Sequence, residues 1–250
     1  MPESGKDHTE IPSFLADAYK LISDEYTSLL HLYKQYRQLF GHSKERITLL
    51  NETAPSFFCE IQICMFDSVL LRINKLLEPA KKGSNKGVTL HWLEVLIANG
   101  DARGKNLVER LRTLRLDLKD RAVNIKSNRD KRIVHPDRSQ ARNRLFYPFD
   151  VSRKEVKDIL ADMGRYLKLV EHHYTGSDIR FDISTDGDAE TLLHILADGL
   201  CYDELRDEDA FGYSGEPDNK WRLQIGDRIQ EMDDLEEWDT HLTEDNDLLS

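Results

Sequence analysis

The chain has little of what several common chemistries require. Three cysteines in 250 residues, Cys59, Cys64 and Cys201, are too few for a disulfide framework and fit a reducing compartment. Cys59 and Cys64 lie five positions apart, about 140° around a helix at roughly 100° per residue, which favours core thiols over a ligand pair. No histidine and cysteine cluster has zinc-like spacing, so no metal is expected. The stretch "KKGSNKG", Lys81–Gly87, lacks the strand context and Gly-Lys-Ser/Thr ending of a phosphate loop. It reads as a plain flexible loop, and no cofactor is implied. No apolar run approaches the ~18 residues that suggest a membrane span, and "MPESGKDHTE" has neither the basic start nor the apolar centre of a secretory signal. A cytoplasmic protein without a membrane partner is therefore expected.

The composition, 39% hydrophobic and 32% charged, suits a soluble chain able to bury a core. Its net charge of −11 would argue against a nucleic-acid partner if it were evenly spread. It is not. Arg103–Arg144 holds 14 Lys or Arg against 5 acids, or +9, and Glu216–Ser250 holds 12 acids against 3 bases, or −9. That segregation is more informative than the total.

Apolar periodicity predicts helices along most of the chain. Phe14, Ala18, Ile22, Tyr26, Leu29, Tyr33, Tyr36 and Phe40 form one stripe, with Pro12 suited to its first turn and Gly41 to its end. A second helix, about Ala54 to Leu77, aligns Phe58, Ile61, Met65, Val69, Ile73 and Leu76 and stops at Glu78-Pro79. "TLHWLEVLIANG" reads as a short helix closed by Gly100. A fourth, about Gly104 to Lys126, turns Leu107, Leu111, Leu114, Leu118, Ala122 and Ile125 inward and its arginines elsewhere, with Ser127-Asn128 able to interrupt it. Ser152 and Glu155 form a capping box, and Val151 with Val156 a hydrophobic staple, for a fifth helix to about His173. A sixth runs from about Ala189 to Ala197. Ile179, Phe181 and Ile183 alternate in the strand manner, but one short stretch makes no sheet. The expected fold is all-α, an antiparallel helical bundle over residues 10–200. The acidic extension, 201–250, is expected to be a partly disordered or docking tail.

One stretch carries candidate chemistry. "NRDKRIVHPD", Asn128–Asp137, places Asp130 beside Arg129 and His135 six positions beyond. Pro136 disfavours helical geometry at His135, and a helix C-terminus there favours the imidazolium. Arginine can hold a phosphate through its planar fork and offset charge on the phosphoryl oxygens, while histidine can move the proton. Arg-to-His spacing alone is weak: a histidine after four to six intervening residues also follows Arg37, at His42, and Arg165, at His172. Only the middle pair has an acid next to the arginine and lies in the +9 segment, where an anionic substrate would be drawn.

Arg129-Asp130-Lys131 followed by His135 resembles the Arg-x(4–6)-His motif of the HEPN superfamily, with its polar residue after the arginine. "LLNETAPSFFCEIQICMFDSVLLRINKLLEP", Leu49–Pro79, is similar to the second-helix signature of the abortive-infection U-type branch, and "GDAETLLHILADG", Gly187–Gly199, resembles its last helix. Arg132 and Val134 stand where that branch often has a small or apolar residue. The resemblance covers about residues 10–200. It implies an all-α HEPN bundle, usually a homodimer with two motifs facing one cleft, and metal-independent endoribonuclease activity in phage defence or a toxin–antitoxin system. By motif position Arg129 would stabilise the scissile phosphate, His135 would be the general acid/base and Asp130 would orient the pair. Lys126, Asn128, Lys131 and Arg132 would line the RNA. An antitoxin or another regulatory protein is a further implied partner.

On a regular helix Arg129 and His135 would sit about 120° apart and about 9 Å along the axis. Either the segment bends or a second copy supplies the partner. A non-catalytic scaffold that binds RNA or a protein through the same dimer is the competing reading. The opposed +9 and −9 segments further suggest that the tail shields the basic cleft.

Overall fold

The computed structural model describes residues 10–82, 85–101, 104–129, 151–177, 181 and 187–210, with the backbone alone described at 82, 85–86, 128–129 and 203–210. The fold is all-α. Its helices are α1 (Ser13–Phe40), α2 (Lys44–Thr53), α3 (Pro55–Leu77), α4 (Leu90–Gly100), α5 (Lys105–Arg121), α6 (Val123–Arg129), α7 (Arg153–Thr175) and α8 (Asp188–Ala210). Two compact units divide the chain: residues 1–32 with 65–183, and residues 33–64 with 184–250.

In the first unit the core is built from the stripes that periodicity marks out. Ile22, Leu29, Val69, Ile73, Leu111, Leu118, Met163 and Leu167 are all fully buried. Tyrosines tie the helices together where their hydroxyls meet backbone carbonyls of a neighbouring helix. Tyr26 on α1 donates to the Leu160 carbonyl at 2.8 Å, and Tyr166 on α7 donates to the Leu90 carbonyl at 2.8 Å. The Tyr26 hydroxyl lies so close to α7 that a Cβ on Gly164 would stand 2.6 Å from it, so this helical glycine marks a close approach. Phe181 meets the Tyr26 ring edge-on at 4.9 Å.

α7 begins where the sequence places it. Ser152 Oγ accepts from the Glu155 amide at 3.1 Å, and the Ser152 amide donates to Glu155 Oε2 at 2.7 Å. These contacts hold the Glu155 carboxyl below its usual range, the bond from the Ser152 backbone being the larger cause. Val151 and Val156 are both buried, as the staple requires. Gly176, at φ +68°, closes the helix in the left-handed region.

Several expectations change. The arginines of α5 do not all point away from the core. Arg115 is buried, while Leu114 is half-buried. Arg115 sits at the core position between Leu111 and Leu118 because α4 supplies Glu94 as its counter-charge. The interruption falls at Ala122, and α6 continues through Ser127 and Asn128 to Arg129. "KKGSNKG" contains a minimal antiparallel hairpin, pairing Lys81 with Lys86 and Lys82 with Asn85, which satisfies backbone groups a plain loop leaves to water. Phe14 is exposed, against Gly100, although it continues the α1 stripe.

In the second unit α2 packs on α8. Arg46 breaks the apolar spacing of 44–53, so no apolar stripe marks α2. Yet Arg46, Leu49 and Leu50 are buried together. The Arg46 guanidinium donates to the Gln38 carbonyl and lies 3.9 Å from Glu190 Oε1 on α8, so its charge is compensated. Ser43 caps α2, its Oγ accepting from the Arg46 amide at 3.3 Å. Cys64 is exposed and Cys59 and Cys201 are half-buried, all three free, so Cys59 and Cys64 are not core thiols. α8 runs to Ala210, well past Ala197, since the acids of its second half hide the helix from an apolar pattern. Most of the 179–183 alternation and the tail beyond 210 lie outside the described residues. No described helix is long and apolar enough to cross a membrane.

Candidate nucleic-acid interface

α5 and α6 carry the basic segment, and their local geometry decides which cations are available. Leu107, Leu111, Arg115, Leu118, Ala122 and Ile125 face inward at steps of three and four. The complementary face repeats every seven residues, with Lys105, Arg112, Lys119 and Lys126 all exposed. Seven residues are two turns less about 20°, so the four form a slowly drifting row. Ala122 does not dislocate it. Although Ala122 adopts φ −82° and ψ 9°, its amide still reaches the Leu118 carbonyl at 2.9 Å, and the Lys126 amide reaches the Ala122 carbonyl at 2.9 Å.

Arg110, Arg115 and Arg121 on these helices are engaged. Arg115 Nε donates to Glu94 Oε1 at 2.5 Å and Nη2 to Glu94 Oε2 at 3.1 Å, deep between α4 and α5. Tyr166 Oη lies 3.2 Å from the same Oε1. Burial, and then the Glu94 charge, push the Tyr166 hydroxyl well above its ordinary pKa. Arg121 bonds Asp117 at 2.8 Å and also Asp162 of α7, which receives Arg165 at 2.9 Å. By contrast Lys105, Arg112, Lys119 and Lys126 hold no carboxylate within 4.0 Å among the described residues.

A half-open cavity of about 260 Å³ lies between the end of α3 and the α5–α6 junction. Leu77, Pro79 and Ala122 give it an apolar lining, Lys119 and Lys126 contribute two cations, and Glu78 contributes one carboxylate. Asn74, also in its wall, commits its amide nitrogen to the Leu70 carbonyl at 2.9 Å. Close to the cationic row is His91, whose Nδ1 accepts from the Ala80 amide at 3.1 Å. Its pKa is lowered, first by burial and then by the nearby charge of Arg115, with Arg112 and Lys119 adding to it. Among the described residues no group of three or more His, Cys, Asp or Glu side chains could hold a metal ion.

Of the residues the motif singles out, Lys126 is exposed on α6 and lines this cavity. Asn128 and Arg129 are the last two backbone positions of α6. Asp130, Lys131, Arg132 and His135 lie outside the described residues. The rival pair on α7 is altered in meaning, because Arg165 is tied to Asp162. Sequence reasoning missed Lys119 and the cavity. The seven-residue recurrence of cations from Lys105 to Lys126 was the available signal for the first; nothing local signals the second, since its walls come from segments some 45 residues apart.

Residues 14–192 match the family model HEPN_AbiU2, described as AbiU2, an interval well over half the chain. Comparison with curated proteins finds no match, and neither does comparison with solved structures.

Proposed function

Because the chain belongs to the AbiU2 family of abortive-infection HEPN domains, we propose that it is a metal-independent endoribonuclease acting in phage defence or a toxin–antitoxin system. The observation that carries this reading is the family match itself, whose interval 14–192 contains Arg129, Asp130 and His135. Cationic surface on α5 and α6 leading into that motif supports it, since RNA binding begins with phosphate neutralisation.

In the proposed reaction the ribose 2′-oxygen attacks the adjacent phosphorus. A new O2′–P bond forms, the P–O5′ bond breaks, the 2′-hydroxyl proton leaves to a base and a proton is delivered to the departing 5′-oxygen. DNA, lacking the nucleophile, is not cut. His135 serves as the acid/base group. Arg129 neutralises the charge that grows on the phosphoryl oxygens, and Asp130 orients the pair. A second copy of the chain brings a second motif to the same cleft, and the acidic segment 216–250 competes with RNA for the cations.

The test is incubation of the purified full chain with tRNA and structured RNA in EDTA, beside Arg129→Ala and His135→Ala. Cleavage that survives the chelator and disappears in both variants is the expected result. RNA binding without cleavage would favour the scaffold reading, and equal degradation by wild type and variants would refute the assignment.

A further inference from the structure

The cavity beside Lys126 has the chemistry of a seat for one nucleotide. We propose that it holds a nucleotide of single-stranded RNA flanking the scissile bond, with the base against Pro79 and its phosphates on Lys119 and Lys126. This inference rests on the nuclease reading for its biological meaning but on the cavity for its physics.

The cavity has room for one base. At about 260 Å³ the space falls just below the ~300–1,000 Å³ typical of drug-sized ligand pockets, so it suits one base rather than a folded RNA element. Its lining is partly apolar. Leu77, Pro79 and Ala122 give an aliphatic lining, against which a base buries apolar area without a hydrogen-bond readout of its identity. Pro79 is exposed and can be covered by a ligand, whereas Leu77 and Ala122 are already buried by the fold.

Charge fixes the orientation. Lys119 and Lys126 belong to α5 and α6, while Glu78 ends the α3 wall with Pro79. A carboxylate accepts hydrogen bonds and repels phosphate. The backbone of the nucleic acid therefore runs along the lysine wall, and the base turns toward Glu78 and Pro79. Both lysines are free of carboxylate partners among the described residues, so neither must break an ion pair to bind a phosphate.

Lys126 stands one turn, about 4.5 Å along the axis, before Arg129, and Lys119 stands two turns further back. A strand whose scissile phosphate reaches Arg129 continues over Lys126 and then Lys119. Farther along, Arg112 extends the same row for further phosphates.

The test separates this seat from cleavage by measuring binding in the full chain carrying His135→Ala. The probes are a labelled single-stranded oligoribonucleotide and a ribose–phosphate oligomer of equal length without bases, read by fluorescence anisotropy across a salt series. In that background Lys119→Glu and Lys126→Glu are each expected to weaken binding of the intact oligomer at least about five-fold. Each should also lower the salt slope by about 0.7, one phosphate contact on a single strand. Lys20→Glu, the same charge change on exposed α1, should do neither. The intact oligomer should bind tighter than the base-free one, through the apolar area that a base covers at Pro79, and Pro79→Ala should narrow that gap.

Equal effects of Lys20→Glu and Lys119→Glu would overturn the proposal, because the protein would then respond to net charge alone. Equal affinity for the two probes would overturn it as well, leaving phosphate contacts and no base seat. Should the binding results hold while wild-type protein cuts no RNA, the nuclease assignment falls and the seat stands. Should RNA be cut with unchanged KM by Lys119→Glu, the seat falls and the nuclease stands.

Discussion

Replacing Glu94 by leucine isolates a buried ion pair of the first unit. Glu94 is 2% exposed and Arg115 8% exposed, and the two meet through the paired contacts of 2.5 and 3.1 Å. Leucine fills much of the carboxylate's volume but leaves the guanidinium buried without a counter-charge, and removes the acceptor at 3.2 Å from Tyr166 Oη. Removing one member of a buried pair typically costs about 3–5 kcal/mol, a large fraction of the ~5–15 kcal/mol that holds a protein folded. Tyr166→Phe should be milder, about 1–3 kcal/mol, since it takes a neutral donor from the Leu90 carbonyl and from Glu94 Oε1, which keeps Arg115. The combined variant Glu94→Leu with Arg115→Met tests the reasoning itself. With both charges gone no desolvation remains uncompensated, and stability should return to within about 1 kcal/mol of wild type or exceed it. Urea titrations followed by far-UV circular dichroism, compared at equal m-value, supply these numbers. A double variant as unstable as Glu94→Leu would refute the argument, for it would mean that the pair contributes through its own attraction rather than by mutual compensation.

Gly164→Ala would ordinarily stabilise a helix by roughly 0.5–1 kcal/mol; here the new methyl meets the Tyr26 hydroxyl at 2.6 Å, so a net loss of about 1–2 kcal/mol in thermal unfolding is expected. In a Tyr26→Phe background the same change should cost less, and an undiminished cost would show that the clash lies elsewhere. His91, with its folded pKa depressed below the ordinary value near 6.5, contributes stability that is present above that pH and is lost as pH falls toward the folded value. His91→Gln should therefore flatten the fall in Tm between about pH 7 and pH 5, and parallel curves would exclude this linkage. Deletion of residues 216–250 should raise RNA affinity at low salt and have little effect near 1 M salt, where the screening length is about 3 Å. Unchanged low-salt affinity and cleavage would dismiss the tail as a shield.

The Arg129 motif was legible mainly by resemblance, as a histidine after four to six intervening residues also follows Arg37 and Arg165. The flanking row of cations was open to reading, because a seven-residue repeat on a helix is a local property. Which of those cations remain available was not. Arg115 and Arg121 look like Arg112 in sequence, yet the first two are taken by Glu94, Asp117 and Asp162, on contacts that span up to 41 residues.

By itself the sequence determined the helices of α1, α3, α4, α5 and α7, because their 3.6-residue periodicity and the Ser152–Glu155 cap act within a few residues of themselves. Polar interruptions disguised α2 and the second half of α8, whose burial or length no apolar stripe reports. Only the tertiary structure decided that Arg115 belongs in the core, that the turn at Ala122 preserves the row of Lys119 and Lys126, and that the end of α3 closes a cavity against them. Those outcomes depend on which surfaces meet across long separations. A side chain's burial and its counter-charge are properties of the neighbour, and the neighbour is chosen by the fold.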